Sequence, residues 1–246
     1  MHRSLRLAHC SDIHLDSDYF GGDWNRQRRD RDRAQFDALL DAICDEQPDL
    51  MLLAGDLFDH NRASEDTVEW ACARLAALPF TVVMIPGNHD CLAEGAVYHR
   101  HDFAGAGLHL LHEMDGRHLV LEELGVSVWG RGLVDHHPGH RPLADVPGRL
   151  RADQWHLGMA HGVHVPEDGE SRNSSPIHAH EIAAAGFDYL ALGHIHAARD
   201  VSAGDSTAWY CGAPHPVLGE PGSFLRVDLA PGTPVAVSVR PVPPVR

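Results

Sequence analysis

The first 85 residues alternate short apolar segments with amphipathic stretches, and this alternation constrains the fold more than any other feature. Three segments have the length and composition of buried strands: Leu5–Cys10, Leu50–Ala54 and Phe80–Ile85. Between them, apolar residues recur at helical spacing in two stretches, one ending before Pro48 and one starting after Ser64, a candidate N-cap. A strand–helix–strand–helix–strand order implies right-handed crossovers and a largely parallel sheet covered by helices. The sequence therefore predicts an α/β protein.

The second half of the chain contains shorter strand patterns. A hairpin is predicted from Arg117–Glu123 and Val126–Gly130, and a short helix over residues 179–185. Further strands are predicted at Gln154–Ala160, Asp188–Leu192, Ala208–Cys211, Phe224–Leu229 and Val235–Val239. No repeat, linker or low-complexity run interrupts the chain, so we expect residues 1–246 to form one domain. Residues from about 240 to 246 are expected to be a frayed tail.

Composition excludes several classes of protein. A hydrophobic content of 43% with 22% charged residues is ordinary for a soluble globular protein, and no window approaches the roughly 20 apolar residues that span a membrane. The formal charge of −15 argues against whole-surface attraction to nucleic acid, although a local basic track is compatible with it. Five cysteines without C-x-x-C spacing indicate a reducing compartment, and the N-terminus lacks the apolar core of a signal peptide. A cytoplasmic location is expected.

Five predicted strands are each followed by residue types that bind metal ions. The motifs are Asp12-Ile13-His14, Gly55-Asp56-Leu57-Phe58-Asp59, Gly87-Asn88-His89-Asp90, His161-Gly162 and Gly193-His194-Ile195-His196. Functional groups gather at one edge of an α/β sheet because the strands end there. Each motif alone is a weak signal, since the chain contains 21 histidines. Five in this order, each behind an apolar strand, are hard to explain by chance.

The chemistry of these residues narrows the choice of metal. Carboxylate, amide and imidazole donors without thiolate suit borderline-hard divalent ions such as Mn²⁺, Fe²⁺ or Zn²⁺. Two ions about 3.5–4 Å apart can clamp a phosphoryl group, and one carboxylate must then bridge them. We assign that bridge to Asp56.

Taken together, the five motifs resemble the signature of the calcineurin-like metallophosphoesterases over residues from about 5 to 230. The resemblance implies an αββα two-sheet sandwich with a dinuclear centre, with Mn²⁺ preferred and Fe²⁺ or Zn²⁺ as alternatives. It implies that one ion is held by Asp12, His14, Asp56 and His196, and the other by Asp56, Asn88, His161 and His194. A hydroxide that bridges the ions would attack phosphorus in line.

The resemblance also assigns His89 as the general acid that protonates the leaving oxygen. Asp90 is expected to orient the His89 imidazole and favour its protonated form, with a turn-capping role as an equal alternative. For Asp59, a structural carboxylate that ties down its loop is favoured over direct metal ligation. His215 is one of several histidines near the motifs for which a surface or supporting role is favoured.

A finer resemblance is to the bacterial SbcD-type DNA repair nucleases. Three stretches carry it: Ser11-Asp12-Ile13-His14-Leu15, Leu53-Ala54-Gly55-Asp56-Leu57-Phe58-Asp59 and Tyr210-Cys211-Gly212-Ala213-Pro214. It implies a Mn²⁺-dependent nuclease in DNA repair. SbcD-type proteins add a capping domain and a segment that docks an ATPase partner, for which this chain leaves no room. We therefore expect a stand-alone nuclease with an open centre, acting on single-stranded or flapped DNA.

The segment from Asn25 to Arg33 contains five arginines and two aspartates, and it is a candidate DNA contact. We name Arg26, Arg28 and Arg29 as candidate contacts to the DNA backbone. The alternative is a solvated helix start whose arginines pair with Asp30 and Asp32.

Two other functions stay open at this stage. A small-molecule phosphodiesterase or phosphatase, for example one acting on cyclic nucleotides, is favoured by the negative net charge. A non-catalytic interaction module of the same fold is opposed by the intact set of metal-binding residues.

Overall fold

The structure is a computed structural model that describes residues 3–17, 22–135, 137, 139–166, 175–217 and 219–245, without the side chains of residues 22–25. Its first six-stranded sheet has the order β14-β13-β1-β2-β3-β4. The strands are β1 (Leu5–Cys10), β2 (Leu50–Ala54), β3 (Thr81–Ile85), β4 (His109–Leu110), β13 (Ser223–Leu229) and β14 (Ala236–Pro241). Strands β1 to β4 run parallel, and β13 joins β1 antiparallel.

The crossovers of this sheet are helical, as the alternation in the sequence predicts. Helix α1 (Gly22–Asp45) connects β1 to β2 and ends before Pro48, and helix α2 (Glu65–Ala76) connects β2 to β3. Ser64 caps α2 by accepting a hydrogen bond of 3.4 Å from the backbone N–H of Thr67. A four-residue helix α3 (Val97–Arg100) lies between β3 and β4.

The second six-stranded sheet has the order β11-β12-β10-β7-β6-β5. Its strands are β5 (Arg117–Leu121), β6 (Val126–Gly130), β7 (Trp155–His161), β10 (Tyr189–Gly193), β11 (Ala198–Asp200) and β12 (Thr207–Cys211). The predicted hairpin is the antiparallel pair β5–β6, joined by a 3₁₀ turn over Glu122–Leu124. A small parallel pair of β8 (Val163–Val165) and β9 (Pro176–His178) precedes helix α4 (Ala179–Ala185).

Apolar side chains define the layers of the fold. In β2, Met51 and Leu53 pack toward α1 and α2, while Leu52 packs between the two sheets with Leu157 of β7. A third apolar cluster joins Ile182 of α4 to the outer face of the second sheet. Strands covered on both faces need continuous apolar sequences, which explains why β2 lacks polar residues. The predicted αββα two-sheet sandwich is confirmed.

The segment expected to fray lies against the protein as far as Val245. Strand β14 extends to Pro241, and the backbone N–H of Val242 donates to the carbonyl of Gly222 (2.8 Å). The buried amide of Gln35 donates to the carbonyl of Pro243 (3.1 Å) and accepts from the N–H of Val245 (3.0 Å). One side chain of α1 therefore holds the end of the described chain.

Among the residues described, no helix combines the length and apolar character needed to cross a bilayer.

Candidate metal centre

The ends of β1, β2 and β3 from one sheet meet the ends of β7 and β10 from the other. Within the first sheet, the N–H of His14 donates to the carbonyl of Asp56 (3.1 Å), which joins the segments that follow β1 and β2. Between the sheets, the N–H of His194 donates to the carboxylate of Asp12 at 3.1–3.2 Å. These bonds bring all seven predicted metal ligands to one edge of the sandwich.

Three of the seven form a first group. Nε2 of His14 and Nε2 of His196 lie 3.3 Å apart, and Nε2 of His196 lies 3.5 Å from Oδ1 of Asp12. One ligand atom from each of these residues lies within 4.8 Å of those from the other two, a spacing that suits a single ion.

A second group surrounds the side-chain oxygen of Asn88. This Oδ1 lies 2.9 Å from Nε2 of His161 and 2.7 Å from Nδ1 of His194. Nδ1 of His161 donates to the carbonyl of Ala54 at 2.9 Å. That bond fixes the tautomer and leaves Nε2 of His161 as the nitrogen that can bind a cation.

Asp56 lies between the two groups. Its Oδ2 is 3.3 Å from Nε2 of His161 and 3.9 Å from Nε2 of His14. Its Oδ1 accepts a hydrogen bond of 2.8 Å from the backbone N–H of His89, which holds the carboxylate in this orientation. Asp56 can therefore contribute oxygen to both groups.

Backbone conformation supports the interpretation of this edge as a functional site. Four of the seven residues have positive φ angles: Asp12 (56°), His14 (54°), Asp56 (54°) and His194 (102°). Such conformations cost about 1–3 kcal/mol each in non-glycine residues and cluster at functional sites. At Gly87, an added Cβ would lie 2.1 Å from Oδ1 of Asp56, so the glycine of that motif permits the close approach. The oxygen and imidazole donors, held in this way, fit two divalent cations.

The charged groups within the site change one another's pKa values. Burial disfavours the charged form of His161, but the adjacent carboxylate of Asp56 outweighs it and raises the pKa of His161 to about 9. Burial also opposes ionisation of Asp12, yet His196, His161 and His14 hold the pKa of its carboxyl well below its ordinary value. The pKa of Asp56 is lowered as well, because His161 and His14 outweigh its burial. Both carboxylates are therefore ionised and available as ligands at neutral pH.

His89 lies beside this centre and contacts the loop that follows β2. Its Nδ1 donates to the backbone carbonyl of Asp59 at 2.9 Å and lies 3.6 Å from the Oδ1 of that residue. The rings of His89 and His14 meet edge to face with centroids 4.5 Å apart. The imidazole is about a third exposed, so a substrate can reach it.

The carboxylate of Asp90 points elsewhere. It is fully buried and accepts hydrogen bonds from the N–H of Gly87 (2.7 Å), the N–H of Phe58 (3.1 Å) and the hydroxyl of Tyr98 (2.7 Å). Burial together with the charge of Asp56 raises the pKa of Asp90 to about 6 despite these bonds. These contacts correspond to the turn-capping role that was the alternative for Asp90. The carboxylate that lies beside His89 and His14 is that of Asp59. The sequence spacing Asp56-x-x-Asp59 was the available signal for that role.

The three arginines named as candidate DNA contacts differ in their surroundings. Nε of Arg28 donates to the hydroxyl of Ser17 at 2.6 Å, and the guanidinium of Arg29 lies 3.6 Å from the buried Asp16. Arg26 is exposed at the start of α1. Arg28 and Arg29 are thus tied to the loop that follows the first metal motif. Arg28 also lies 3.9 Å from Asp32, one of the carboxylates that the alternative interpretation named.

Two residues that were not among the predicted site residues lie in the wall of a cavity beside the centre. Arg31 and His215 line the same cavity as His14, His89 and His196. His215 directly follows the Gly-Ala-Pro turn after β12, so its proximity to the motif was the only signal in the sequence.

Curated proteins of similar sequence include metallophosphoesterases and nucleases. The chain is 28% identical over 224 residues to the uncharacterized metallophosphoesterase YhaO of Bacillus subtilis, covering 85% of this chain and 52% of that protein. It is 26% identical over 235 residues to the DNA double-strand break repair protein Mre11 of Methanopyrus kandleri, covering 91% and 50%. Over 277 aligned positions it is 25% identical to one subunit of the nuclease SbcCD of Bacillus subtilis, covering 93% and 67%. The chain spans about half the length of the first two relatives.

Among solved structures, TT1561 of Thermus thermophilus superposes with a TM-score of 0.62 at 11% identity, covering 97% of this chain and 99% of that one. This likeness shows the shared fold. Residues 5–198 match the sequence family described as calcineurin-like phosphoesterase, a range that includes every residue of the two ligand groups. The chain belongs to the calcineurin-like phosphoesterase family.

Proposed function

We propose that the chain is a dinuclear-metal phosphodiesterase that cleaves DNA, with single-stranded or flapped DNA as substrate and Mn²⁺ as the preferred ion. The observation that carries the proposal is the position of Asp56, whose Oδ2 lies within 4 Å of a nitrogen from each ligand group. A shared carboxylate is what a two-ion phosphoester centre requires.

The roles of the residues follow from their contacts. Asp12, His14 and His196 would hold one ion, Asn88, His161 and His194 the other, and Asp56 both. Two divalent cations held by these residues would supply an acidified water and would neutralise charge on the phosphoryl oxygens. His89 would protonate the leaving oxygen. Since Nδ1 of His89 already donates to the carbonyl of Asp59, the proton that it delivers must be carried on Nε2.

Two facts support DNA over a small molecule as the substrate. The stretches that resemble SbcD-type nucleases lie at the centre, and two of the similar curated proteins are named as a DNA repair protein and part of a nuclease. A small-molecule phosphodiesterase is the second candidate, and the net charge of −15 favours it. Activity without an ATPase partner and a cytoplasmic location stay predictions from the sequence.

The experiment is a substrate panel with the purified chain. Bis(p-nitrophenyl) phosphate, single-stranded DNA, flapped DNA and cyclic nucleotides are compared with Mn²⁺, Fe²⁺ and Zn²⁺. We expect cleavage of the model diester and of single-stranded or flapped DNA, highest with Mn²⁺. Asp56→Asn should abolish activity, whereas Asp66→Asn, whose side chain is 83% exposed, should not. Cleavage of cyclic nucleotides alone would select the second candidate, and no cleavage by the metal-loaded protein would refute the proposal.

A further inference from the structure

A cavity of about 660 Å³ opens from the metal centre toward helix α1. This volume falls in the range of roughly 300–1,000 Å³ that encloses small organic ligands. His14, His89 and His196 form its inner end, while α1 and the segment at Pro244 and Val245 form its outer walls. Any group attached to a phosphate at the metal centre on this side must therefore enter the cavity.

The wall formed by α1 is largely polar and carries the cations of Arg28 and Arg31 and the carboxylate of Asp32. Gln27, Arg31 and Gln35 line the cavity at intervals of four residues, which places them on one helix face about 6 Å apart in axial rise. Arg31 is exposed and forms no salt bridge within the described part of the chain, unlike Arg28 and Arg29. Its guanidinium is suited to contact an anionic group, and phosphate is a preferred partner of arginine.

The cavity also has apolar surface, and the ring of His215 lies in its wall. Ile13, Phe36, Pro214 and Pro244 contribute apolar surface. The ring of His215 lies next to the metal centre, with its centroid 6.2 Å from that of His196 and 6.3 Å from that of His14. Splayed-out nucleotide bases stack on such rings in single-stranded nucleic-acid sites.

We propose that this cavity binds the nucleotide adjoining the scissile phosphate of single-stranded DNA, with its base against His215 and its outer phosphate against Arg31. The proposal rests on the phosphodiesterase function proposed above and names the part of the substrate that the site selects. Gln35 holds the segment at Pro243 and Val245, and Pro244 and Val245 form a wall of the cavity. The proposal takes this wall as the limit for the bound strand. Cleavage therefore occurs near a chain end.

Binding tests the role of Arg31 independently of cleavage. Fluorescence anisotropy of a labelled single-stranded oligonucleotide is measured with Ca²⁺ in place of Mn²⁺, and the DNA is checked to be intact afterwards. Arg31→Gln should weaken binding about tenfold, as expected for a lost charged hydrogen bond. It should also reduce the slope of log K against log salt by about 0.7. Arg151→Gln, an exposed arginine on the side of the second sheet, is the control. Equal binding by both variants would overturn the role of Arg31.

Two variants at His215 separate stacking from other roles. His215→Ala should weaken binding of the oligonucleotide by a factor of about 5 or more, while His215→Phe should retain it, because either ring can stack on a base. Metal content is measured for both variants and should equal that of the wild type. Equal losses in the two variants, or loss of an ion, would overturn the stacking role.

Circular and linear single-stranded DNA of the same sequence test the preference for a chain end. With Mn²⁺, the linear form should be degraded at least about tenfold faster, because a circular strand has no end to place in the cavity. Equal rates on both forms would refute the chain-end inference and leave the phosphodiesterase function intact. If instead no diester is cleaved, the proposed function fails, and the binding results with Arg31 and His215 still decide whether the cavity takes DNA.

Discussion

The Oδ1 atom of the buried Asp59 carboxylate lies 3.0 Å from Nδ1 of His14. Burial alone would raise the pKa of this carboxyl, but the contact with His14 outweighs burial and lowers it. A carboxylate in this position holds the ring so that Nε2 faces the first ligand group. Partners of this kind orient metal-binding histidines and affect metal affinity without touching the ion.

Replacement of Asp59 should therefore weaken one metal site. We expect Asp59→Ala to lower the affinity for one of two ions by about 10–100-fold, the usual effect of losing such a partner. Isothermal titration calorimetry measures the affinity, with Asp66→Ala as a control because its side chain is 83% exposed. Unchanged affinity in Asp59→Ala would contradict an orienting role.

Asp56 and Asn88 should differ in the number of ions that their replacement removes. Asp56→Ala is expected to lose both ions, because its carboxylate lies between both groups. Asn88→Ala is expected to lose one, since its oxygen contacts only His161 and His194 within the centre. Metal analysis of the folded variants gives the count, and two ions in Asp56→Ala would refute the bridge.

His89→Ala should keep both ions but lose most DNA cleavage, a decrease of about 10²–10⁴ for a lost general acid. The loss should be smaller for bis(p-nitrophenyl) phosphate, because nitrophenolate leaves without protonation. Steady-state kinetics on both substrates measures the difference. A variant that cleaves DNA at nearly the wild-type rate would remove His89 from the mechanism.

Asp90→Asn provides the comparison for His89. Since the Asp90 carboxylate contacts Gly87, Phe58 and Tyr98, we expect lower stability toward urea and an equal effect on both substrates. A loss that spares the nitrophenyl substrate would instead support the orienting role of Asp90.

Acid should destabilise the fold through His9. This residue is fully buried between the sheets, shares a hydrogen bond of 2.7 Å with the hydroxyl of Tyr189, and has its pKa lowered to about 3 by burial. In the unfolded chain its pKa is near 6.5, so below that pH the unfolded state binds a proton that the folded state does not. The stability is thus complete above pH 6.5 and decreases toward pH 3, by up to about 1.4 kcal/mol per pH unit.

Urea unfolding of the metal-free protein at pH 7 and pH 5 tests this prediction. The free energy of unfolding should fall more in the wild type than in His9→Asn, whose side chain does not titrate. An equal decrease in both proteins would exclude His9 as the cause. The comparison of two proteins also removes the contribution of histidines with raised pKa, such as His161.

Much of the sandwich follows from local sequence. The bounds of β1 and β2 agree with the predicted segments. For β2 the reason is that a strand buried on both faces appears as an uninterrupted apolar run. Short edge elements such as β4 and β11 were not predicted, since two or three residues carry too little periodicity. The docking of residues 243–245 depends on the amide of Gln35, more than 200 positions away in the chain.

The sequence by itself determined which donors this chain can offer to metal ions and the strand ends from which they project. The contacts of two further carboxylates were decided only by tertiary structure: Asp59 with His14 and His89, and Asp90 with Tyr98. These pairs join different loops whose distance and orientation depend on the register of strands and the packing of two sheets. The identity of a side chain is given by the local sequence. The direction in which a carboxylate points depends on how the strands, sheets and helices of the whole fold pack together.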